Sequence, residues 1–524
     1  MGLSILLIKG SGESWPWHHA LRMHTPIKPM TSGSNTESSK RPRSRRQTIG
    51  LWLGPLVFVA MLLSPTPANM SPEAWLVAAM GALMAIWWIS EAIPIPATAL
   101  LPIVLLPLLG VSTIGQATAP YANPLIFLFM GGFMIALAMQ RWGLHKRIAL
   151  TIVSWIGSSP QAIVMGFMIA AAFLSMWVSN TATALMMLPI ALSVIKLARP
   201  ADPDNATQQT EIRAFGITLV LGIAYACNIG GVGTLIGTPP NALMAGYMLE
   251  SHGVTIGFAQ WMLVGLPLVI VGVPLTFLLL VKLLFPLRLA SLPGGHDLIM
   301  QERQALGPIS RQELGVAIVF ACTAALWISR PLLGTWIPGL SDAGIAMAAA
   351  LALFLIPAGP RQAGGLLDWE TTRQLPWGIL ILFGGGLSLA AAIGQTGLDE
   401  SIGELVLALG GWPVVLLLTV AVALVIMLTE ITSNTATAAA FLPVLGAAAM
   451  GLGQDPLLFA AAATLAASCA FMLPVATPPN AVVYSSGLLT VPMMARAGIW
   501  LNLLFTGLIV VLAYTVIVWV FGVG

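Results

Sequence analysis

The chain has 524 residues, of which 58% are hydrophobic and only 8% charged; its 22 Lys and Arg against 19 Asp and Glu leave a formal net charge of +3. Soluble domains carry about 25% charged residues, so the composition excludes a soluble enzyme and offers nothing to nucleic acid. The apolar runs are continuous rather than alternating, which implies an all-α polytopic membrane protein and not a barrel.

Residues 1–50 differ in kind. The stretch "TSGSNTESSKRPRSRRQ" is polar and basic, and composition predicts a disordered cytoplasmic tail there. An extra first span is expected over 51–72. A first repeat follows over 73–285, then a cytoplasmic linker over 286–312, then a second repeat over 313–524. Apolar runs fall at 51–68, 73–90, 97–111, 124–157, 161–195, 213–248, 258–285, 313–333, 342–357, 376–397, 411–448, 457–490 and 497–522. Cys227, Cys322 and Cys469 all lie in apolar segments, which does not suit a disulfide framework.

Basic residues set the orientation. All Lys and Arg except Arg330 fall at positions that read as inner. The run 161–195 has Lys146 and Arg147 before it and Lys196 and Arg199 after it. As one straight helix it would be about 52 Å long, against a bilayer core of about 30 Å. A re-entrant hairpin, turning near Ser179, fits both facts. The run 411–448 has only acidic flanks, Asp399, Glu400, Glu404 and Asp455, and reads as a hairpin entering from outside. Two full spans in each run is the rival reading. With two hairpins, about 11 transmembrane helices remain, with the amino end cytoplasmic and the carboxyl end outside.

The chain repeats itself. "LFMGGFMIA" begins at Leu128 and "LFGGGLSLA" at Leu382; "SNTAT" begins at Ser179 and again at Ser433. "IGTPPNAL" begins at Ile236 and "VATPPNAV" at Val475. Five spans lie between the hairpins, so the second copy is inverted. Inverted repeats with interrupted helices are the arrangement of secondary transporters.

The interruptions carry the chemistry. A turn inside a membrane exposes amides and carbonyls that lipid cannot satisfy, so it must be buried in protein or line a cavity. Ser, Asn and Thr supply donors and acceptors there. The helix starting after the turn offers a positive end. Pro239–Pro240 and Pro478–Pro479 cannot continue a helix from within, so runs 213–248 and 457–490 are broken helices. Glu430, three residues before the second tip, reads either as functional or as a hydrogen-bonded structural carboxylate. Glu91 reads as structural or gating. Neither H-E-x-x-H nor G-x-S-x-G is present, so no catalytic residue is assigned.

The two "SNT" tips, the two "TPPN" breaks and "SEAIPIPATALLPIVLLPLLGV" from Ser90 resemble those of the divalent anion:sodium symporter family, the carriers of dicarboxylates, citrate and sulfate, over about residues 73–522. The resemblance implies a homodimeric elevator-type transporter in the cell (inner) membrane, surrounded by lipid. It implies one sodium site at Ser175, Ser179, Asn180 and Gly237 and a second at Thr429, Thr432, Asn434 and Ala476, hence at least two sodium ions. It places substrate carboxylates at Ser179, Asn180, Thr181, Ser433, Asn434 and Thr435, with Thr238, Pro239, Thr477 and Pro478 nearby.

None of the four motif segments contains Lys, Arg or His, which favours sodium-coupled import and a C4-dicarboxylate such as succinate. A sodium-independent dicarboxylate exchanger, and citrate or sulfate as substrate, remain alternatives.

Overall fold

The structure, a computed structural model, describes residues 43–157, 159–198, 206–289, 294–359, 364–407 and 412–523. The expected tail therefore lies, up to residue 42, outside the described residues. Every regular element among the described residues is helical. Among the described residues ten helices are long and apolar enough to cross a bilayer. Shorter apolar helices accompany them, including Pro160–Ser175, Asp342–Leu355 and Val414–Thr429. The chain is an integral membrane protein.

The opening helix, Arg45–Leu63, starts in a capping box in which Ser44 and Gln47 satisfy each other's backbone amides. It packs along Pro72–Ser90. The latter helix stops because Glu91 turns left-handed, at φ 52°. The proline-rich stretch beyond it makes only Ile95–Thr98 and Leu101–Leu108.

From residue 124 the elements come in two parallel series. The first runs Pro124–Arg141, Leu144–Ile156, a hairpin of Pro160–Ser175 and Asn180–Leu197, a broken helix of Ala206–Gly231 and Pro239–His252, and Phe258–Leu278. The second runs Trp377–Thr396, Leu398–Leu407, a hairpin of Val414–Thr429 and Asn434–Gly451, a broken helix of Pro456–Ala467 and Pro478–Tyr484, and Val491–Leu512. Each series closes with a short π-helical turn, Leu279–Leu284 and Ala513–Ile517, the second followed by Val518–Phe521.

The run 124–157 is two helices. Gly143, at φ 75°, reverses the chain between them, a backbone setting that glycine adopts without strain. Gly397 does the same in the second series at φ 72°. The helix Leu144–Ile156 carries Lys146 and Arg147, whose partners are Glu302 and Glu313 in the segments leading to and opening the second half.

Small residues bring the hairpins close to the broken helices. A Cβ on Gly230 would collide with the backbone of Ala172 in the first hairpin. The crossing has room for backbone against backbone and nothing larger. Arg330, the basic residue that breaks the charge pattern, pairs with Asp342 at 3.2 Å, and Asp342 also accepts the amide of Phe258.

Candidate functional site

Each hairpin has a four-residue tip between legs of 16 and 18 residues. Each broken helix resumes at a Pro–Pro pair, where the missing N–H groups belong to a first turn that has no use for them. The residues that start the four resumed helices, Ser179, Thr238, Ser433 and Thr477, all line one cavity of about 970 Å³. Three of these helices run 14 to 18 residues and the fourth seven. The dipoles of these helices, with the first amides of the two that do not open in proline, give the cavity positive ends that need no charged side chain in the four motifs.

All ten positions named for substrate line this cavity: Ser179, Asn180, Thr181, Thr238, Pro239, Ser433, Asn434, Thr435, Thr477 and Pro478. So do Gly237, Thr432 and Ala476. Ser175 and Thr429 are fully buried, at the ends of the two first legs.

Oxygen atoms gather at the first tip. The buried Ser175 Oγ and Asn180 Oδ1 have no hydrogen-bond partner. A Cβ on Gly231 would come within 2.9 Å of Asn180 Oδ1 and 3.2 Å of the Gly237 carbonyl. A Cβ on Gly237 would meet the carbonyls of Gly231 and Ser175. Asn180 Oδ1 and the carbonyls of Gly231, Gly237 and Ser175 thus stand close around the two glycines, an oxygen set of the kind that suits a hard cation such as sodium. At the second tip the oxygens face one another. Thr429 Oγ1 lies 2.6 Å from Asn434 Oδ1 and 2.8 Å from the Ala467 carbonyl, and its single proton serves one at a time. Thr432 Oγ1 lies 2.5 Å from Thr437 Oγ1.

The asparagines of the two "TPPN" segments fasten the breaks. Asn241 Nδ2 donates to the carbonyls of Gly231 and Thr234 at 3.2 and 2.7 Å. Asn480 Nδ2 donates to the equivalent carbonyls of Ala470 and Leu473 at 3.2 and 3.1 Å. Gly231 ends the first helix piece, and Thr234, Ala470 and Leu473 lie in the unwound segments between the pieces, where no regular helical ladder serves their carbonyls. Asn228 joins the halves: its Nδ2 donates to the Ala470 carbonyl at 3.2 Å and to Thr477 Oγ1 at 3.1 Å.

Glu430 is not a cavity residue. Its carboxylate accepts the amides of Phe471, Met472 and Leu473 and the side chain of Asn502 at 2.7 to 3.2 Å. Every partner is a donor, which matches an ionised, acceptor-only group. Of the two readings of Glu430, this geometry favours the structural one.

A family description, the sodium:sulfate symporter transmembrane region, matches residues 46–523. The chain belongs to this divalent anion:sodium symporter family. Family members are transporters and not enzymes. Among similar proteins, the sodium-dependent dicarboxylate transporters SdcS of Staphylococcus aureus strains bovine RF122 / ET3-1 and USA300 are each 46% identical over 488 residues, covering 92% of this chain and 94% of theirs. The fold is also that of the Alcanivorax borkumensis YdaH transporter, at TM-score 0.57 and 17% identity over 84% of this chain and 98% of that one. Neisseria gonorrhoeae MtrF aligns at TM-score 0.52 and 13% identity, over 93% and 96% of the two chains.

Motif reading passed over Asn228, Asn241, Asn480 and Arg46, all at or beside this family member's cavity. A lone Asn inside "AYACNIGG" was a usable signal, because an amide in an apolar helix needs a partner. Arg46 gave none, since more than 80 residues separate it from every motif that faces the cavity except "SEAIPIP".

Proposed function

We propose that this chain is a secondary active transporter that imports dianionic carboxylates together with sodium, and that a C4-dicarboxylate such as succinate is its substrate. The observation that carries the reading is the convergence of four helix starts and two oxygen-rich tips on one cavity. Amides and hydroxyls at the helix starts suit the two carboxylates; the oxygens behind them suit sodium. The 46%-identical relatives carry the name of sodium-dependent dicarboxylate transporters, which supports the same pairing of ion and substrate.

In this reading the chain forms a homodimer, and the hairpins and broken helices move as one elevator body against the remaining helices. The two repeats lie inverted in the membrane, with the amino end inside. Two sodium ions would neutralise a dianion. A third would make import electrogenic, each net charge gaining about 2.3 kcal/mol per 100 mV. The test is succinate uptake into proteoliposomes under sodium and under choline gradients, with a potassium–valinomycin potential imposed. Uptake that needs sodium supports the proposal, and equal uptake in choline discards it. Uptake indifferent to the potential leaves two ions.

One observation favours the second reading, a sodium-independent exchanger. Arg46 lines the cavity and is a fixed cation that could take the place of an ion. Its donors, however, are engaged by two carbonyls, and Glu91 lies beside it.

A further inference from the structure

The first turn of the opening helix reaches across the mouth of the cavity. Arg46 Nη1 donates to the carbonyl of Ile431 at 2.7 Å. Nη2 donates to the carbonyl of Ile89, and the Glu91 carboxylate lies 4.0 Å away. Ile431 belongs to the second hairpin's tip, two residues before Ser433. Ile89 and Glu91 end the helix on which the opening helix packs. Glu91 is the one non-glycine residue with positive φ among the described residues, a setting that residues with a Cβ disfavour. One guanidinium thus ties a helix pair at the chain's start to a hairpin tip 385 residues later.

The first hairpin's tip is held by different chemistry. Trp177 packs against Phe258 and Phe320, with ring centroids 6.0 and 5.0 Å apart, and Phe258 stacks on Trp327 at 4.3 Å. That contact is apolar and continuous. The Arg46 contact is a charge-assisted hydrogen bond with the arginine side chain 46% exposed. Such a bond adds little to folding but is directional. It exists only while Ile431 lies beside the opening helix.

We infer that Arg46 is a positioning residue: it clamps the second hairpin's tip in the arrangement whose cavity opens beside the opening helix, and so sets how readily the carrier leaves that inward-open state. The inference rests on the proposed elevator. Because the acceptor on the hairpin is a backbone carbonyl, the clamp reads position and not side-chain identity.

The test uses full-length protein carrying Cys322→Ser, which removes the exposed native thiol, and a reporter cysteine at the cavity-lining Gln140. A membrane-impermeant maleimide is applied from the cytoplasmic side. A tenfold shift in a two-state equilibrium takes a carrier that is about 90% inward-open to an even mixture. Arg46→Gln is therefore expected to slow labelling about twofold or more, while the equilibrium thermal stabilisation by succinate in sodium stays within about twofold. Arg46→Lys, which can reach one carbonyl but lacks the fork, is expected to fall between.

Unchanged labelling in a monodisperse Arg46→Gln protein overturns the clamp. So does binding weakened about tenfold with labelling unchanged, because Arg46 would then be an anion ligand. If Arg46→Gln does not fold, Arg46→Lys and Glu91→Gln decide: slower labelling in both supports the clamp, and parent-like labelling in both overturns it. Labelling needs no substrate. A parent protein that takes up no dicarboxylate would therefore refute the proposed function and leave the clamp still decided.

Discussion

The two halves build the same break in opposite ways. In the first half the helix before the break runs to Gly231, and seven residues, 232–238, are unwound. The hairpin grips that short segment with one bond, from Thr234 Oγ1 to the Met176 carbonyl at 2.5 Å. In the second half the helix stops at Ala467, and ten residues, 468–477, are unwound. A longer gap leaves more amides without acceptors. Glu430 supplies them, and Glu430 stands at the hairpin position equivalent to Met176. Where the first half is joined by a neutral hydroxyl, the second is joined by a carboxylate.

The difference continues at the tips. Gly231 and Gly237 keep the first cluster of oxygens open, and Ala470 and Ala476 occupy the equivalent places in the second. The first half is an open cradle of neutral oxygens. The second is a closed set of hydroxyls next to a negative charge. A repeated plan therefore need not give two equal ion sites.

The strongest way to break this comparison is Glu430→Ala. Three amides would lose their acceptor, at a cost on the order of 3 kcal/mol. The expected result is a clearly lower thermal midpoint in detergent and loss of the sodium-dependent part of the thermal shift. The matched change in the first half, Thr234→Val, removes one neutral bond and should cost only about 1 kcal/mol. Equal losses for the two would show that the halves are held alike.

Next come the asparagines of the breaks. Asn480→Ala should be worse than Asn241→Ala, because Asn228 also reaches toward Asn480 Oδ1, at 3.4 Å. Each should cost about 1–2 kcal/mol, read by urea or thermal unfolding. A reversed order would put the weight on the first break.

The tips sharpen the contrast further. Asn180→Ala removes an oxygen without a partner, so it should weaken sodium and succinate binding together, as linkage demands, and leave the ion-free protein's midpoint unchanged. Asn434→Ala removes one of the two acceptors around Thr429 Oγ1 and leaves the Ala467 carbonyl, so it should lower binding and, by about 0.5–1 kcal/mol, the midpoint. Titrating sodium by thermal shift, with and without succinate, separates the two patterns.

The smallest effect concerns the loop leading into the second series. Hydrogen bonds from Thr371, and then the Arg141 guanidinium 2.5 Å away, hold the Asp368 carboxyl at about 2. A carboxylate whose folded value is lowered contributes stability above its ordinary value of about 3.9, lost only as pH falls through about 2. Asp368→Asn should therefore leave a pH-stability profile between 5 and 8 parallel to the parent's. A profile that changes slope there would assign Asp368 a different partner.

Much of the site was legible because membranes punish irregular backbone. Polar pentads and Pro–Pro pairs inside apolar runs have few uses other than lining a cavity, and the structure puts Ser179, Thr238, Ser433 and Thr477 around a single one. The all-helical class followed from the same penalty. What escaped were relations that depend on three dimensions. The split at Gly143 hides in an unbroken apolar run, because one left-handed glycine leaves no polar trace. Arg46 lies in what reads as a solvated basic tail, and only the fold brings it to Ile431. The partners of Glu430 are backbone amides, which every sequence has and none displays.

Asn228 has a consequence for how the ions are counted. It leaves the first broken helix and donates into the second break, at Ala470 and Thr477, beside the carbonyls that Asn480 holds. The two breaks are thus parts of one hydrogen-bonded object. Ordering either break draws the other towards order. Sodium uptake should then be cooperative, with a Hill coefficient above one, and the second ion should find its place partly prepared by the first.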